Sequence, residues 1–266
     1  GAAQIALVGA PNAGKSLLHD RLTGSGAKSG PYPFTTQHPE PGMLKWQDVH
    51  FQLIDLPAIA AEHPLPWLTN TLQTADACLL VVDLADPDCL QQVAAVQEEL
   101  ARRRTTLVTR WPGDAAGTGH GDGDDAPGED DVFALRLPTL LLANKADLIP
   151  GLAEELRAFL ELSGLRLPAL AVSAATGQGL GGLGPWLFAN LGIVRVYTKA
   201  PGHPPDKSRP YALRRGQTVA DVARLIHRDL EQSLRYARIW GKSGHDGQQV
   251  GPDHVPADGD VVERHA

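Results

Sequence analysis

Apolar residues along the chain fall into two rhythms. Runs at residues 4–9, 51–55, 78–83, 139–144 and 169–173 are apolar almost throughout, the pattern of strands buried on both faces of a parallel sheet. Between most of them, residues 14–22, 90–103 and 152–162 repeat apolar side chains at spacings of three and four, which predicts helices. This alternation predicts an α/β domain with a doubly wound, mostly parallel sheet. Residues 43–46 and 49–53, parted by Gln47 and Asp48, predict an antiparallel hairpin at one edge.

After Gly192 the pattern changes. Residues 193–198 and 211–214 read as strands, and Thr218 with Asp221 frames the start of a helix expected to reach about Gln232. Val219, Val222, Ile226 and Leu230 share one face of that helix, and residues 236–240 and 260–262 read as further short strands. The expected organisation is an α/β domain over residues 1–192 and a small α+β domain over 193–266, a division that suits 266 residues. Residues 112–131 interrupt the first domain with six glycines, seven acidic residues and no lysine or arginine, so a flexible acidic surface insertion is expected there. Ala126 and Pro127 after Asp122, Asp124 and Asp125 break the spacing of a calcium loop.

Charge divides along the same boundary. Residues 1–192 carry 12 basic and 22 acidic side chains, whereas residues 193–266 carry 12 basic and 9 acidic ones. The basic excess of the second part is modest, and an ordinary solvated surface is the expectation, with nucleic-acid contact as the alternative. Cys78 and Cys89 are too few for a disulfide framework, and Cys78, inside an apolar run, is expected only to pack. No stretch approaches the ~18 consecutive apolar residues of a membrane span, and no export signal opens the chain. A cytoplasmic protein without membrane partners is expected. The chain opens almost directly on a strand, which leads to the expectation of a further N-terminal region in the natural protein.

Two motifs and a short loop carry the chemistry. GAPNAGKS at residues 9–16 has P-loop spacing between a predicted strand and a predicted helix. Backbone amides around Asn12, Ala13 and Gly14 can close on phosphate oxygens, Lys15 supplies a point charge to the β and γ phosphates, and Ser16 can ligate magnesium, with Leu17 following in the same turn. Asn144, Lys145 and Asp147 form NKAD at the end of a strand, where a carboxylate can accept both hydrogen bonds offered by guanine N1 and its exocyclic amine. Adenine offers no such pair. Ser173, Ala174 and Ala175 follow, and their backbone can close on the guanine oxygen. Asp55, ending a strand, can hold a magnesium-bound water, and in the Phe34, Thr35, Thr36 segment either threonine hydroxyl can serve as a further ligand. GQGLGG at residues 177–182 fits GxGxxG but lacks the acidic residue expected about 20 positions on, so a turn into the last helix of the domain is expected instead. The histidines form no metal-binding spacing, and residues 102–104 read as a solvated basic helix end.

Together GAPNAGKS, PFTT, LIDLPAI, NKAD and SAA resemble the Obg and DRG branch of the translation-factor GTPases, and DRG more closely. The segment from VYTKAPGHPPDKSRPYALRRGQTVADVARLIHRDL to YARIWGKS resembles a TGS domain, a ubiquitin-like β-grasp fold. This resemblance implies GTP and GDP as ligands, with Mg2+ held by Ser16, by Thr36 as the threonine at the family's spacing, and by Asp55 through water. It also implies a K+ site at Asn12, catalysis drawing on Lys15 and Thr36, and ribosome or RNA contact through the TGS domain, with no DNA partner. Three departures stand out. Ala58 occupies the family's glycine position, AAEHPLPWLTN replaces a glycine-rich stretch, and the acidic insertion stands where DRG proteins carry a small extra domain.

Ala58 bears on switching. Its amide is expected to turn toward the γ phosphate, and if that turn needs a positive φ, alanine disfavours it by about 1 to 2 kcal/mol, a bias rather than a block. Ile59 stands where many GTPases place a glutamine that orients water, so intrinsic hydrolysis is expected to be slow. A slow switch and a nucleotide-holding scaffold with little turnover both fit these residues.

Overall fold

The computed structural model describes residues 1–24, 40–57, 66–113 and 133–266. The chain runs β1 (Ala3–Gly9), α1 (Lys15–Thr23), β2 (Glu40–Trp46), β3 (Val49–Asp55), α2 (Pro66–Thr74), β4 (Ala77–Asp83), α3 (Cys89–Arg102) and β5 (Thr105–Val108). It continues through β6 (Leu135–Asn144), α4 (Leu152–Ser163), β7 (Ala169–Ala171) and α5 (Leu183–Asn190). It closes with β8 (Ile193–Lys199), β9 (Asp206–Arg214), α6 (Val219–Ile226), α7 (Arg228–Ser233), β10 (Tyr236–Trp240), β11 (Gln248–Val250) and β12 (Asp260–His265).

The first sheet has the order β2-β3-β1-β4-β6-β5, with β7 also pairing with β6. Its pairs are parallel apart from the β2–β3 hairpin. Alternate side chains of each strand leave the sheet on opposite faces. Ile5 and Leu7 therefore pack with Leu18 of α1 and with Leu183 and Leu187 of α5. Ala6 and Val8 face the other way, against Leu68 and Leu72 of α2, Val96 and Leu100 of α3, and Phe159 of α4. This is the doubly wound arrangement, and Cys78 packs inside it, fully buried, its thiol pushed up to about 12 by burial. Register then aligns the strand ends: Leu7 lies beside Asp55, Gly9 beside Val81, and Asp83 beside Asn144. Open α/β sheets bind ligands at this carboxyl edge.

The second sheet, β11-β10-β12-β8-β9, joins parallel β8 and β12 in an otherwise antiparallel set. Val219, Val222 and Ala223 of α6 cover Val196, Leu213, Ile239 and Val262 on one face. The Thr218 amide donates to Asp221 Oδ2 at 2.7 Å, so the expected cap is present. The expected single helix to Gln232 is corrected: it breaks at His227, whose φ of −165° and ψ of 140° are extended. The His227 ring accepts the Asp229 amide at 3.2 Å, opening α7 on a new axis. Leu234 in place of Leu230 joins Ile226 at the edge of that core. Arg103 also departs from the solvated helix end expected of it, being 13% exposed and paired with Glu99.

The two sheets meet at the β2–β3 turn. Arg195 of β8 donates to Gln47 and Asp48 of that turn at 2.7 and 3.0 Å and to Asp258 at 2.9 and 3.0 Å, with its guanidinium 4.8 Å from the Phe188 ring centre. The Tyr197 hydroxyl donates to Asp48 as well. Arg214 of β9 donates to Ala2 O at 2.6 Å beside β1. Partial burial opposes ionisation of Asp48, but the bonds from Tyr197 and Arg195 hold its carboxyl below the usual range, and Arg195 does the same to Asp258. Both carboxylates hold protons more weakly folded than unfolded. Their contribution is therefore complete above the ordinary aspartate value of about 4 and is lost as pH falls through the depressed folded values. Arg195→Ala is expected to cost about 2 kcal/mol at pH 7, read from urea unfolding, because it takes the cationic partner from two part-buried carboxylates and leaves each with a neutral donor, Tyr197 on Asp48 and the residue-195 amide on Asp258. An unchanged midpoint would show that this contact holds nothing together.

Candidate nucleotide site

The turn after β1 is shaped by two left-handed residues, Asn12 at φ 65° and Gly14 at φ 93°. Asparagine tolerates that region and glycine is at home in it. A Cβ on Gly14 would strike the Asn144 carboxamide, so glycine is needed for space as well as for conformation. Helix α1 then starts at Lys15 with Leu18 N donating to Gly14 O at 3.0 Å, which aims its N-terminal amides and the positive end of its dipole at the loop.

Lys15 is only 8% exposed; burial lowers its pKa, while the Asp55 charge works the other way. A buried ammonium of this kind is complemented by a bound anion. Ser16 Oγ donates to Asp55 Oδ2 at 2.8 Å, and Asp55 Oδ1 is buried without a hydrogen-bond partner among the described residues. A hydroxyl oxygen beside a carboxylate with an unspent oxygen is a donor set for a hard divalent cation, so these residues fit Mg2+. Ala13 is buried, and the Asn12 and Leu17 side chains stand exposed at the rim.

The base side is assembled from β6 and the loop after β7. Asn144, 1% exposed, donates from Nδ2 to Ala13 O at 3.0 Å and accepts Ala174 N on Oδ1 at 3.1 Å. Lys145 donates to Asp83 Oδ2 at 2.7 Å and reaches Asn12 O at 3.5 Å, lying along the phosphate loop. Asp147 is exposed, with one oxygen held by Ser173 Oγ at 2.8 Å. Its other oxygen and its remaining lone pairs are placed to accept from a ligand. Arg21, in the last turn of α1, donates from Nε to Ala174 O at 2.7 Å and from Nη2 to Ala175 O at 2.5 Å.

The structure thus brings Asn12, Ala13, Gly14, Lys15, Ser16 and Asp55 into one cluster and Asn144, Lys145, Asp147, Ser173, Ala174 and Ala175 into its neighbour. Phe34, Thr35, Thr36, Ala58 and Ile59 lie outside the described residues, as does residue range 114–131 of the acidic insertion. Asp83 and Arg21 went unread in the sequence. Asp83 ends a strand with no motif around it, and Arg21 is a lone basic residue in the last turn of a helix, so neither carries a local signal. The GQGLGG segment folds back on the base loop, with Ser173 N donating to Gln178 O at 2.9 Å, and leads into α5 as expected.

A phosphate loop, a buried lysine, a serine–aspartate pair and an NKxD carboxylate at the carboxyl edge of a parallel sheet define a P-loop domain of the guanine-nucleotide class. Comparison with known proteins agrees: residues 4–110 match the family model described as 50S ribosome-binding GTPase, and residues 194–263 match that of the TGS domain. An uncharacterized GTP-binding protein of Halobacterium salinarum is 30% identical over 308 residues, covering 98% of this chain and 82% of that protein. Developmentally-regulated GTP-binding protein 1 of Xenopus laevis is 28% identical over 309 residues, covering 99% and 82%. Era of Aquifex aeolicus, solved with GDP and aluminium fluoride, shares the fold at a TM-score of 0.50 and 20% identity, over 71% of this chain and 56% of that one. The chain belongs to the Obg/DRG-like family of GTPases, with a TGS domain following its GTPase domain.

Asn144→Ala removes both buried bonds and leaves Ala13 O and Ala174 N without their partner. It is expected to lower the stability of the nucleotide-free protein by about 3 kcal/mol in denaturant titration. A loss below about 0.5 kcal/mol would mean the two loops do not depend on this bridge.

Proposed function

We propose that this protein is a GTP-hydrolysing switch with a slow intrinsic rate, acting in the cytoplasm on a ribosomal or other RNA-containing partner through its TGS domain. The observation that carries the catalytic part is the cluster of buried Lys15, the Ser16–Asp55 pair and the unpartnered Asp55 Oδ1, set beside an exposed Asp147. In this reading Ser16, Asp55 through water, and Thr36 would hold Mg2+, which would supply positive charge to offset that of the phosphates. Lys15 carries the developing charge on the transferred phosphate, the loop amides orient it, and Asp147 selects guanine. The boundary between the GTPase and TGS domains falls between residues 192 and 193. The partner assignment draws on the 50S ribosome-binding description of the matched family.

Slow turnover follows from Ile59, whose side chain cannot hold an attacking water. Asn12 is the proposed ligand of a K+ ion, which would supply positive charge near the phosphates in place of a polar residue at 59. Single-turnover hydrolysis is expected to run faster in potassium than in sodium, and equal rates would remove that role from Asn12. Ala58 supports the rival reading, a scaffold that holds nucleotide with little hydrolysis. Tight binding with no phosphate release, even with magnesium, potassium and ribosomes present, would favour it.

The base assignment has its own test. Asp147→Asn exchanges an acceptor for a donor, so GDP is expected to weaken on the order of 100-fold while xanthosine diphosphate, which carries a carbonyl at that position, strengthens. Unchanged GDP binding would contradict the role of Asp147.

A further inference from the structure

Arg21 lies seven positions after Gly14 in the chain and on the opposite end of α1 from the phosphate loop, yet its guanidinium ends on the base loop. Its Nε and Nη2 donors meet two successive carbonyls, Ala174 O at 2.7 Å and Ala175 O at 2.5 Å. The side chain is exposed, so these bonds do not serve to fill a core. A guanidinium presents its donors in a fixed planar fork, and two donors on consecutive carbonyls fix two consecutive peptide planes.

The consequence follows from peptide geometry. In a trans peptide the N–H of the next residue points opposite to the C=O. Holding Ala175 O toward Arg21 therefore turns Thr176 N–H the other way, and it donates to Ser173 Oγ at 3.1 Å. That hydroxyl is the one that donates to Asp147 Oδ1 at 2.8 Å. Holding Ala174 O toward Arg21 turns Ala175 N–H away from α1 in the same manner. Ala174 N–H itself is already given to Asn144 Oδ1.

We propose that Arg21 is a positioning residue for base recognition, fixing the 174–175 peptide so that Ala175 N–H meets the purine O6. This rests on the guanine-nucleotide reading of the site and adds to it a physical link. Helix α1 carries Lys15 and Ser16 at one end and Arg21 at the other, so one rigid rod holds the phosphate site and the base loop at a fixed separation. Arg21 touches no part of the nucleotide itself.

The test compares GDP with 2-aminopurine riboside diphosphate, which keeps the phosphates, the ribose and the exocyclic amine but has neither O6 nor the N1 proton. The lost N1–H bond to Asp147 weakens this ligand for parent and variants alike, so the effect of each substitution is read as a ratio to the parent for the same ligand. Calorimetric titration of the full chain with magnesium is expected to show Arg21→Ala weakening GDP about tenfold, while the 2-aminopurine ligand changes less than about twofold. Arg21→Lys, whose donors all sit on one nitrogen and lack the planar fork, should fall between parent and Arg21→Ala for GDP. Thermal melting of each nucleotide-free variant identifies a folding defect, and Arg21→Gln, which retains one donor and similar length, stands in if Arg21→Ala melts early. Equal weakening of both ligands would make Arg21 merely structural and overturn the proposal, as would unchanged GDP binding. A parent protein that fails to bind GDP at all would remove the guanine reading together with the proposal, an outcome distinct from either.

Discussion

The carboxamide of Asn144 is the constraint on which the site depends. One end is fixed on Ala13 O in the phosphate loop and the other on Ala174 N in the base loop, and the group is almost wholly buried. A buried amide with both functions engaged cannot release either without leaving a polar group unsatisfied, at about 1 to 3 kcal/mol each. The two loops, 30 or more residues apart from Asn144 in either direction, are thereby held as one unit. The same contact explains the glycine at 14, since the space its side chain would take belongs to Asn144. Lys145, the next residue, extends the bridge by pairing with Asp83 across the register that already sets Asp83 beside Asn144.

The register of the parallel strands does the rest of the placement. Asp55 is delivered beside Leu7 and two residues from the phosphate loop because β3 pairs with β1 along five consecutive positions. Strand β3 also runs between the two halves of the molecule. It ends on Asp55 in the nucleotide site and begins at Val49, next to Asp48, the residue that Arg195 and Tyr197 of the TGS domain hold. The fold thus joins the Asp55 carboxylate of the candidate site and the domain contact by a single strand of seven residues.

What the sequence disclosed and what it hid divide on physical grounds. Strands buried on both faces, such as residues 78–83, are apolar without interruption and were readable, as were helices with a full stripe such as residues 90–103. Helix α2, with Leu68 and Leu72 as its buried pair, and the short β5 and β11 carry too few periodic positions to be told from loops. The break at His227 was hidden for a different reason: the apolar spacing continues through it to Leu230, and histidine is not among the residues whose side chains ordinarily announce a helix start, although its ring caps α7. In the site, residues belonging to fixed-spacing motifs were legible. Asp83 and Arg21 act through partners 62 and 153 or more positions away, and Arg195 reaches Asp258 across 63 positions and the β2–β3 turn across 147 or more; no local pattern announces contacts of that range.

The most direct measurement is a calorimetric comparison of GDP and ADP on the unmodified protein with magnesium present. The account predicts submicromolar GDP and ADP weaker by on the order of 1000-fold, since the carboxylate held by Ser173 has two donors to accept from guanine and none so placed on adenine. Equal affinity for the two nucleotides would contradict it.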